Sequence, residues 1–109
     1  MQLIAHGNTD IGRARSENED YFASDVELGL HVVCDGMGGH ASGEVASRTA
    51  AEAVVQYVRN HRGELEGFDG SQDACNRAAA LLRTAIETAS SKVFELGKGK
   101  KGLHGMGTT

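Results

Sequence analysis

The stretch His31–Glu44, HVVCDGMGGHASGE, constrains the fold of this chain more than any other part of the sequence. Residues Leu30–Cys34 are mostly apolar and β-branched, which is typical of a buried strand. Asp35 follows at once, three glycines occupy the next four positions, and a helical pattern begins near Ser42. A carboxylate at the end of a buried strand needs a cation or hydrogen-bond donors, and glycines let the backbone approach a bound group. Asp35 is therefore the first candidate for a site.

Composition excludes several classes of protein. The 109 residues are enough for one domain or part of one, and 11 Lys and Arg stand against 15 Asp and Glu, with only a short basic cluster at Lys98–Lys101. We therefore expect no nucleic-acid binding. The apolar runs are too short to span a bilayer and the first residues do not form a signal peptide, so we expect no membrane association and a cytoplasmic protein. Cys34 and Cys75 lack metal-binding or redox spacing, and we interpret both as buried thiols.

The first third of the chain is typical of short strands joined by turns. Leu3–His6 is predicted to be a strand, and Gly7–Gly12 a turn rich in Gly, Asn, Thr and Asp. Tyr21–Ala23 has the aromatic content of a strand. A turn through Asp25–Gly29 would bring that strand back along Leu30–Cys34 as a β-hairpin.

The hairpin would gather acidic residues at one end of the sheet. Glu19 and Asp20 precede one strand, and Asp35 follows its neighbour. Together with the carbonyl of Gly36, these carboxylates could supply part of a site for Mg²⁺ or Mn²⁺, which prefer oxygen ligands. The alternative is that Glu19 and Asp20 are solvated turn residues and that Asp35 caps the next turn. Arg15 is either a surface charge or a fork-shaped ligand for an oxyanion such as phosphate.

Two long helices are predicted to follow each other directly. The first begins with Ser42 as its N-cap and places apolar side chains at helical spacing on one face. The second begins after a capping box at Asp69 and runs to Gly97. Lys98–Gly105 then forms a loop, and Met106–Thr109 has the pattern of a further strand for which the sequence shows no partner.

A dinucleotide-binding domain is an alternative interpretation of the glycine-rich stretch. Gly36-x-Gly38-x-x-Ala41 matches the fingerprint G-x-G-x-x-G/A, and it follows a strand and precedes a helix. That fold requires a parallel strand after the helix, where this chain has a second helix. Asp35 would also repel a pyrophosphate unless a metal intervened. Both points count against this alternative.

Taken together, four motifs resemble the bacterial form of the PPM-type (type 2C) metal-dependent Ser/Thr protein phosphatases. They occur in the order found in that family and extend from one end of the chain to the other. The motifs are Gly12-x-x-Arg15-x-x-Asn18-Glu19-Asp20, Val33-Cys34-Asp35-Gly36-Met37-Gly38-Gly39-His40, Gly43-Glu44-Val45-Ala46-Ser47 and Met106-Gly107-Thr108-Thr109.

The resemblance implies an α+β fold, part of a four-layer α-β-β-α sandwich of antiparallel sheets with flanking helix pairs. It also implies a role for each matched residue in a site for two divalent cations, Mn²⁺ or Mg²⁺. Asp35 matches the carboxylate that bridges both cations. The remaining matches are Glu19 and the carbonyl of Gly36 as metal ligands, Asp20 as an acid that orients metal-bound water, and Arg15 as the residue that grips the substrate phosphate.

The activity implied is hydrolysis of phosphoserine and phosphothreonine in proteins by a hydroxide that bridges the two cations. His40 either protonates the leaving oxygen as a general acid or packs at the start of the helix. The partners implied are phosphorylated proteins and, as the opposing enzyme, a Ser/Thr kinase.

The sequence departs from the family in one respect. Members carry further acidic motifs after the Met-Gly-Thr-Thr position, and none is present here. Residues 1–109 therefore resemble the amino-terminal portion of a single catalytic domain, incomplete on its own, and we expect this piece to be inactive alone. The alternatives are a phosphate-binding or regulatory module without turnover and, less favoured, the dinucleotide-binding domain.

Overall fold

A computed structural model describes residues 20–37, 40–99 and 107–109 of the chain, with the side chains of 40, 41 and 99 excepted. The described part is α+β, as predicted, and its three strands form one antiparallel sheet in the order β1-β2-β3. The elements are β1 (Asp20–Asp25), β2 (Leu30–Met37), α1 (His40–Asn60), a turn of 3-10 helix (Arg62–Leu65), α2 (Gln72–Gly99) and β3 (Gly107–Thr108).

The predicted hairpin is confirmed, and its turn is closed by local hydrogen bonds. Asp25 lies opposite Leu30, the Leu28 N–H donates to Asp25 Oδ1 at 3.1 Å, and the Gly29 N–H donates to the Val26 carbonyl at 3.2 Å. Gly29 has a φ of 65°, a left-handed conformation that glycine adopts without a steric cost. The other oxygen of Asp25 accepts two bonds from Arg59, at 2.9 and 3.1 Å, which tie the hairpin to the end of α1.

β2 is longer than the sequence predicted. It runs to Met37 instead of ending at Cys34, so Asp35 and Gly36 lie inside the strand and not in a turn behind it. The physical reason is pairing on both sides, because Asp35 lies opposite Asp20 of β1 and Gly36 lies opposite Thr108 of β3. The last strand, for which the sequence showed no partner, therefore pairs with β2.

α1 packs against the sheet and against α2 through small side chains. It begins at His40, so Ser42 lies in the first turn with a buried side chain and is not the N-cap that the sequence suggested. Its buried surface is wider than one stripe because both the sheet and α2 contact it. The buried apolar residues of α1 are Ala46, Ala50, Ala51, Ala53, Val54, Val55 and Val58.

α2 begins two residues later than predicted. The Ser71 hydroxyl accepts a hydrogen bond from the Ala74 N–H at 3.2 Å, so Ser71 is the N-cap, while Asp69 accepts one from the Ser71 N–H at 2.9 Å in a preceding turn. The helix continues to Gly99, beyond the predicted end at Gly97. Leu82 follows the buried Leu81 but is itself 40% exposed.

Other predictions lie outside the described residues, namely the strand Leu3–His6, the turn Gly7–Gly12 and most of the loop Lys98–Gly105. The four-layer sandwich also stays a prediction, since the described elements are one sheet and the two helices on one side of it. Within the described ranges, neither helix has the length and apolar character needed to cross a membrane.

The Asp25–Arg59 ion pair predicts a pH-dependent stability. The hydrogen bonds from Arg59, and then that from the Leu28 N–H, lower the pKa of Asp25 below its ordinary 3.8. A carboxyl with a lowered pKa stabilises the fold above its unfolded-state pKa, and the effect disappears as the pH falls through the lowered value. We expect Asp25→Asn to lower the free energy of unfolding at pH 7, and the difference from wild type to shrink as the pH falls below 3.8.

The measurement is urea unfolding between pH 7 and pH 2. Glu52→Gln, at an exposed position of α1, is the matched control. Its free energy of unfolding should differ from that of the wild type by an amount that changes much less with pH. A difference for Asp25→Asn that stays constant over this range would contradict the assignment.

Candidate functional site

Two of the predicted site residues face each other across the hairpin. Asp20 of β1 lies directly opposite Asp35 of β2. The N–H of Asp35 donates to the Thr109 carbonyl at 2.7 Å, and the Thr109 N–H donates to the Asp35 carbonyl at 2.9 Å. Since both main-chain groups of Asp35 point towards Thr109, Asp20 and Asp35 form a non-hydrogen-bonded pair, the type in which the Cα atoms approach to about 4.5 Å. The two carboxylates therefore lie close together.

The carboxylates lie on the face of the sheet that points away from the helices. Side chains alternate along β2, so that Cys34 is buried against α1 while Asp35 is exposed. Asp20, directly opposite, lies on the same face and is half-buried. The same face carries apolar side chains, including Val33 at 77% and Met37 at 52% exposure. The carboxylates thus lie at one end of an open, partly apolar surface.

Gly36 is placed next to this pair. It is buried in β2 between Asp35 and Met37. Carbonyls alternate in direction along a strand, so the Gly36 carbonyl points to the β1 side, opposite to the Asp35 carbonyl that Thr109 uses. That direction is compatible with the predicted role of the Gly36 carbonyl as an oxygen ligand near Asp20.

Three other predicted site residues are not placed. Arg15 and Glu19 lie outside the described residues, and His40 begins α1 with its side chain outside them. Among the described side chains, no group of three or more His, Cys, Asp or Glu comes close enough together to hold a metal ion. The structure therefore brings together Asp20, Asp35 and Gly36, and the roles of all six residues stay predictions.

A groove of about 630 Å³ lies elsewhere, between β2 and α2. Its lining is mainly apolar and includes Val32, Cys34, Ile86, Phe94 and Thr108, but not Asp35. The groove is thus separate from the carboxylate pair.

Sequence reasoning gave no role to the last strand, although it contacts the candidate site directly. Thr109 binds the main chain of Asp35, and Thr108 lies opposite Gly36. Burial raises the pKa of Cys34, and the nearby Thr108 side chain offsets part of that rise. The Met-Gly-Thr-Thr motif was visible in the sequence, but its contact with Asp35 depends on strand pairing over more than 70 residues.

Comparison with known proteins supports a phosphatase family. A Streptococcus pyogenes protein named "Putative protein phosphatase 2C-type" is 30% identical over 105 residues, which are 93% of this chain and 38% of that protein. Protein phosphatase PhpP of Streptococcus pneumoniae gives the same identity and coverage. The Serine/threonine phosphatase stp of Listeria monocytogenes is 30% identical over 110 residues, 98% of this chain and 40% of that protein.

The resemblance to the type 2C protein phosphatases is thereby confirmed over nearly the whole chain. The chain spans about two fifths of the length of the curated relatives it matches. A scan of protein-family models finds no match.

The two cysteines differ in exposure, although both were expected to be buried. Cys34 is buried as expected, whereas Cys75 is exposed, because it lies on the side of α2 that faces solvent. A thiol reacts as its thiolate and only when accessible. We expect one thiol per chain to react rapidly with Ellman's reagent at pH 8 and the other to react at least about tenfold more slowly.

Cys75→Ser should remove the rapid phase and leave the slow one, and a denaturant should make both thiols of the wild type react rapidly. A rapid phase that persists in Cys75→Ser would contradict the burial of Cys34.

Proposed function

We propose that this chain is part of a metal-dependent Ser/Thr protein phosphatase in which Asp35 and Asp20 help to hold divalent cations. The observation that carries the proposal is the direct pairing of Asp20 with Asp35 on one open face of the sheet. Two like charges directly opposite each other in a sheet are destabilising unless something compensates them. A divalent cation bound by both carboxylates would compensate their charges.

The chemistry of the described donors fits such a cation. Mg²⁺ and Mn²⁺ prefer carboxylate and carbonyl oxygens and retain several water ligands. Asp35, Asp20 and the Gly36 carbonyl provide oxygen atoms at one end of the sheet, and Glu19 precedes Asp20 in the sequence. These residues supply part of a ligand set for two cations, and the rest would come from water and from acidic residues elsewhere in the complete protein.

Four candidate residues have distinct tasks in the proposed reaction. Divalent cations bound here would supply the Lewis acidity that activates water for attack on phosphorus. Asp35, on the middle strand, helps to hold the cations. Asp20, on the neighbouring strand, orients a water molecule. Arg15 binds the phosphate oxygens of the substrate through its planar guanidinium. His40 lies at the start of α1, three residues after β2 ends, and is the candidate general acid for the leaving oxygen.

The substrates we propose are phosphorylated serine and threonine residues of proteins, and the opposing enzyme is a Ser/Thr kinase. The names of the relatives, protein phosphatase and serine/threonine phosphatase, support the first of these.

A regulatory or phosphate-binding module without turnover is the second candidate. It is favoured by the fact that the described residues contain only a partial ligand set. The dinucleotide-binding alternative is disfavoured, because in the described ranges α1 leads to a second helix and β3 is antiparallel to β2.

Replacing Asp35 tests the proposed function. In the protein as its native cell produces it, Asp35→Asn should abolish Mn²⁺-dependent hydrolysis of a phosphothreonine peptide, because an amide lacks the charge needed to hold the cations. The exposed residue Asp73 of α2 gives the matched control, since Asp73→Asn should retain activity. Chelation should abolish the activity of wild type and control alike.

The fold is checked separately by circular dichroism and thermal unfolding. Mn²⁺ should raise the Tm of the wild type and of Asp73→Asn, but not that of Asp35→Asn, because a ligand stabilises only a protein that binds it. Unchanged turnover in Asp35→Asn would rule out its proposed role. Binding of Mn²⁺ without any hydrolysis by the wild type would favour the regulatory module.

A further inference from the structure

The Met-Gly-Thr-Thr motif at the end of the sequence has no task in the proposed reaction, yet its Thr109 forms hydrogen bonds with the main chain of Asp35. Thr109 both donates to and accepts from the main chain of Asp35, at 2.9 and 2.7 Å. Both bonds are within the range of good protein hydrogen bonds. They engage both the N–H and the carbonyl of Asp35, which point to that side of β2.

The opposite side of β2 gives Asp35 no equivalent support. Asp20 is its partner there, and the pair is of the non-hydrogen-bonded type, since the N–H and carbonyl of Asp35 point the other way. Asp20 and Asp35 carry like charges on one face, which favours separation of the two strands at this point. The two bonds with Thr109 therefore hold the backbone of Asp35 on the side of β2 away from Asp20.

The neighbouring residues of the last strand pair with β2 in the same register. Thr108 lies opposite Gly36, on the face of the sheet that also carries Cys34. Gly107 lies opposite Met37, and a Cβ at this position would approach the Met37 Cγ to 3.4 Å. A shift of one residue would place the Thr108 hydroxyl on the other face of the strand. The pairs Gly36–Thr108 and Met37–Gly107 thus continue the register that places Thr109 beside Asp35.

We propose that Thr109 is a positioning residue for the cation site, and that it acts through its main chain by fixing the strand that carries Asp35. This inference rests on the proposed function, because it concerns the same site. The Thr109 side chain has no part in this role, since the two bonds that reach Asp35 come from backbone atoms.

The experiment compares two substitutions that differ in the backbone N–H. Thr109→Pro removes the donor that reaches the Asp35 carbonyl, whereas Thr109→Val keeps the donor and the β-branched shape but loses the hydroxyl. Binding of Mn²⁺ to each variant of the natural protein is measured by isothermal titration calorimetry. We expect Thr109→Pro to bind Mn²⁺ about 10- to 100-fold more weakly, the usual effect of removing a residue that orients a metal ligand. Thr109→Val should bind like the wild type.

A third variant covers the case in which Thr109→Pro does not fold. Replacing the amide that precedes the Thr109 Cα by an ester, by protein ligation, removes the N–H with almost no change in shape. We expect the ester variant to keep the helical circular dichroism of the wild type and to show the same direction of weakening. Wild-type Mn²⁺ affinity in the ester variant would overturn the proposal, and so would a loss in Thr109→Val as large as that in the ester variant.

Asp35→Asn separates failure of this inference from failure of the proposed function. If Asp35→Asn also binds Mn²⁺ as tightly as the wild type, the cation site itself is wrong and the inference falls with it. If Asp35→Asn loses binding while the ester variant does not, the cation site stands and only the positioning role of Thr109 is overturned.

Discussion

The position of Asp35 in the middle strand depends on main-chain pairing on both sides of β2. On one side the hairpin register places Asp20 opposite Asp35, and on the other side Thr109 takes both main-chain groups of Asp35. Because side chains alternate along a strand, this arrangement places Cys34 in the core and Asp35 on the open face. A shift of one residue in the pairing with β1 would turn Asp20 to the other face of the sheet, away from Asp35, and the candidate site would be lost.

The helices explain why one face of the sheet is closed and the other is open. α1 presents alanine and valine side chains to the sheet and to α2, so the elements approach closely around a core that includes Cys34. The other face keeps Val33 and Met37 largely exposed beside the carboxylates. An apolar surface of this kind, next to charged residues, is typical of a surface that contacts another part of a protein or a partner. In the proposed phosphatase, the second sheet of the sandwich would lie here.

Local patterns predicted the hairpin, both long helices and the final strand, since each rests on apolar periodicity and turn residues within a few positions. The convergence of Asp20 and Asp35 was also predictable, because it follows from the hairpin alone. The sequence did not predict that β2 extends past Asp35, because the glycines indicated a turn and the strand that pairs there lies some 70 residues away. It likewise misplaced the N-cap of α2, where Ser71 and Asp69 compete and only the geometry decides between them.

The most direct test of the central claim is the effect of Mn²⁺ on the amide NMR signals of the protein, since this paramagnetic ion broadens nearby signals. If the cation site lies at the Asp20–Asp35 end of the hairpin, low concentrations of Mn²⁺ should broaden the signals of Asp20, Asp35 and Gly36 first. The signal of Asp25, five residues along β1 and therefore about 17 Å from Asp20, should stay sharp at those concentrations. Preferential broadening at the Asp25 end, or equal broadening along the whole hairpin, would contradict the claim.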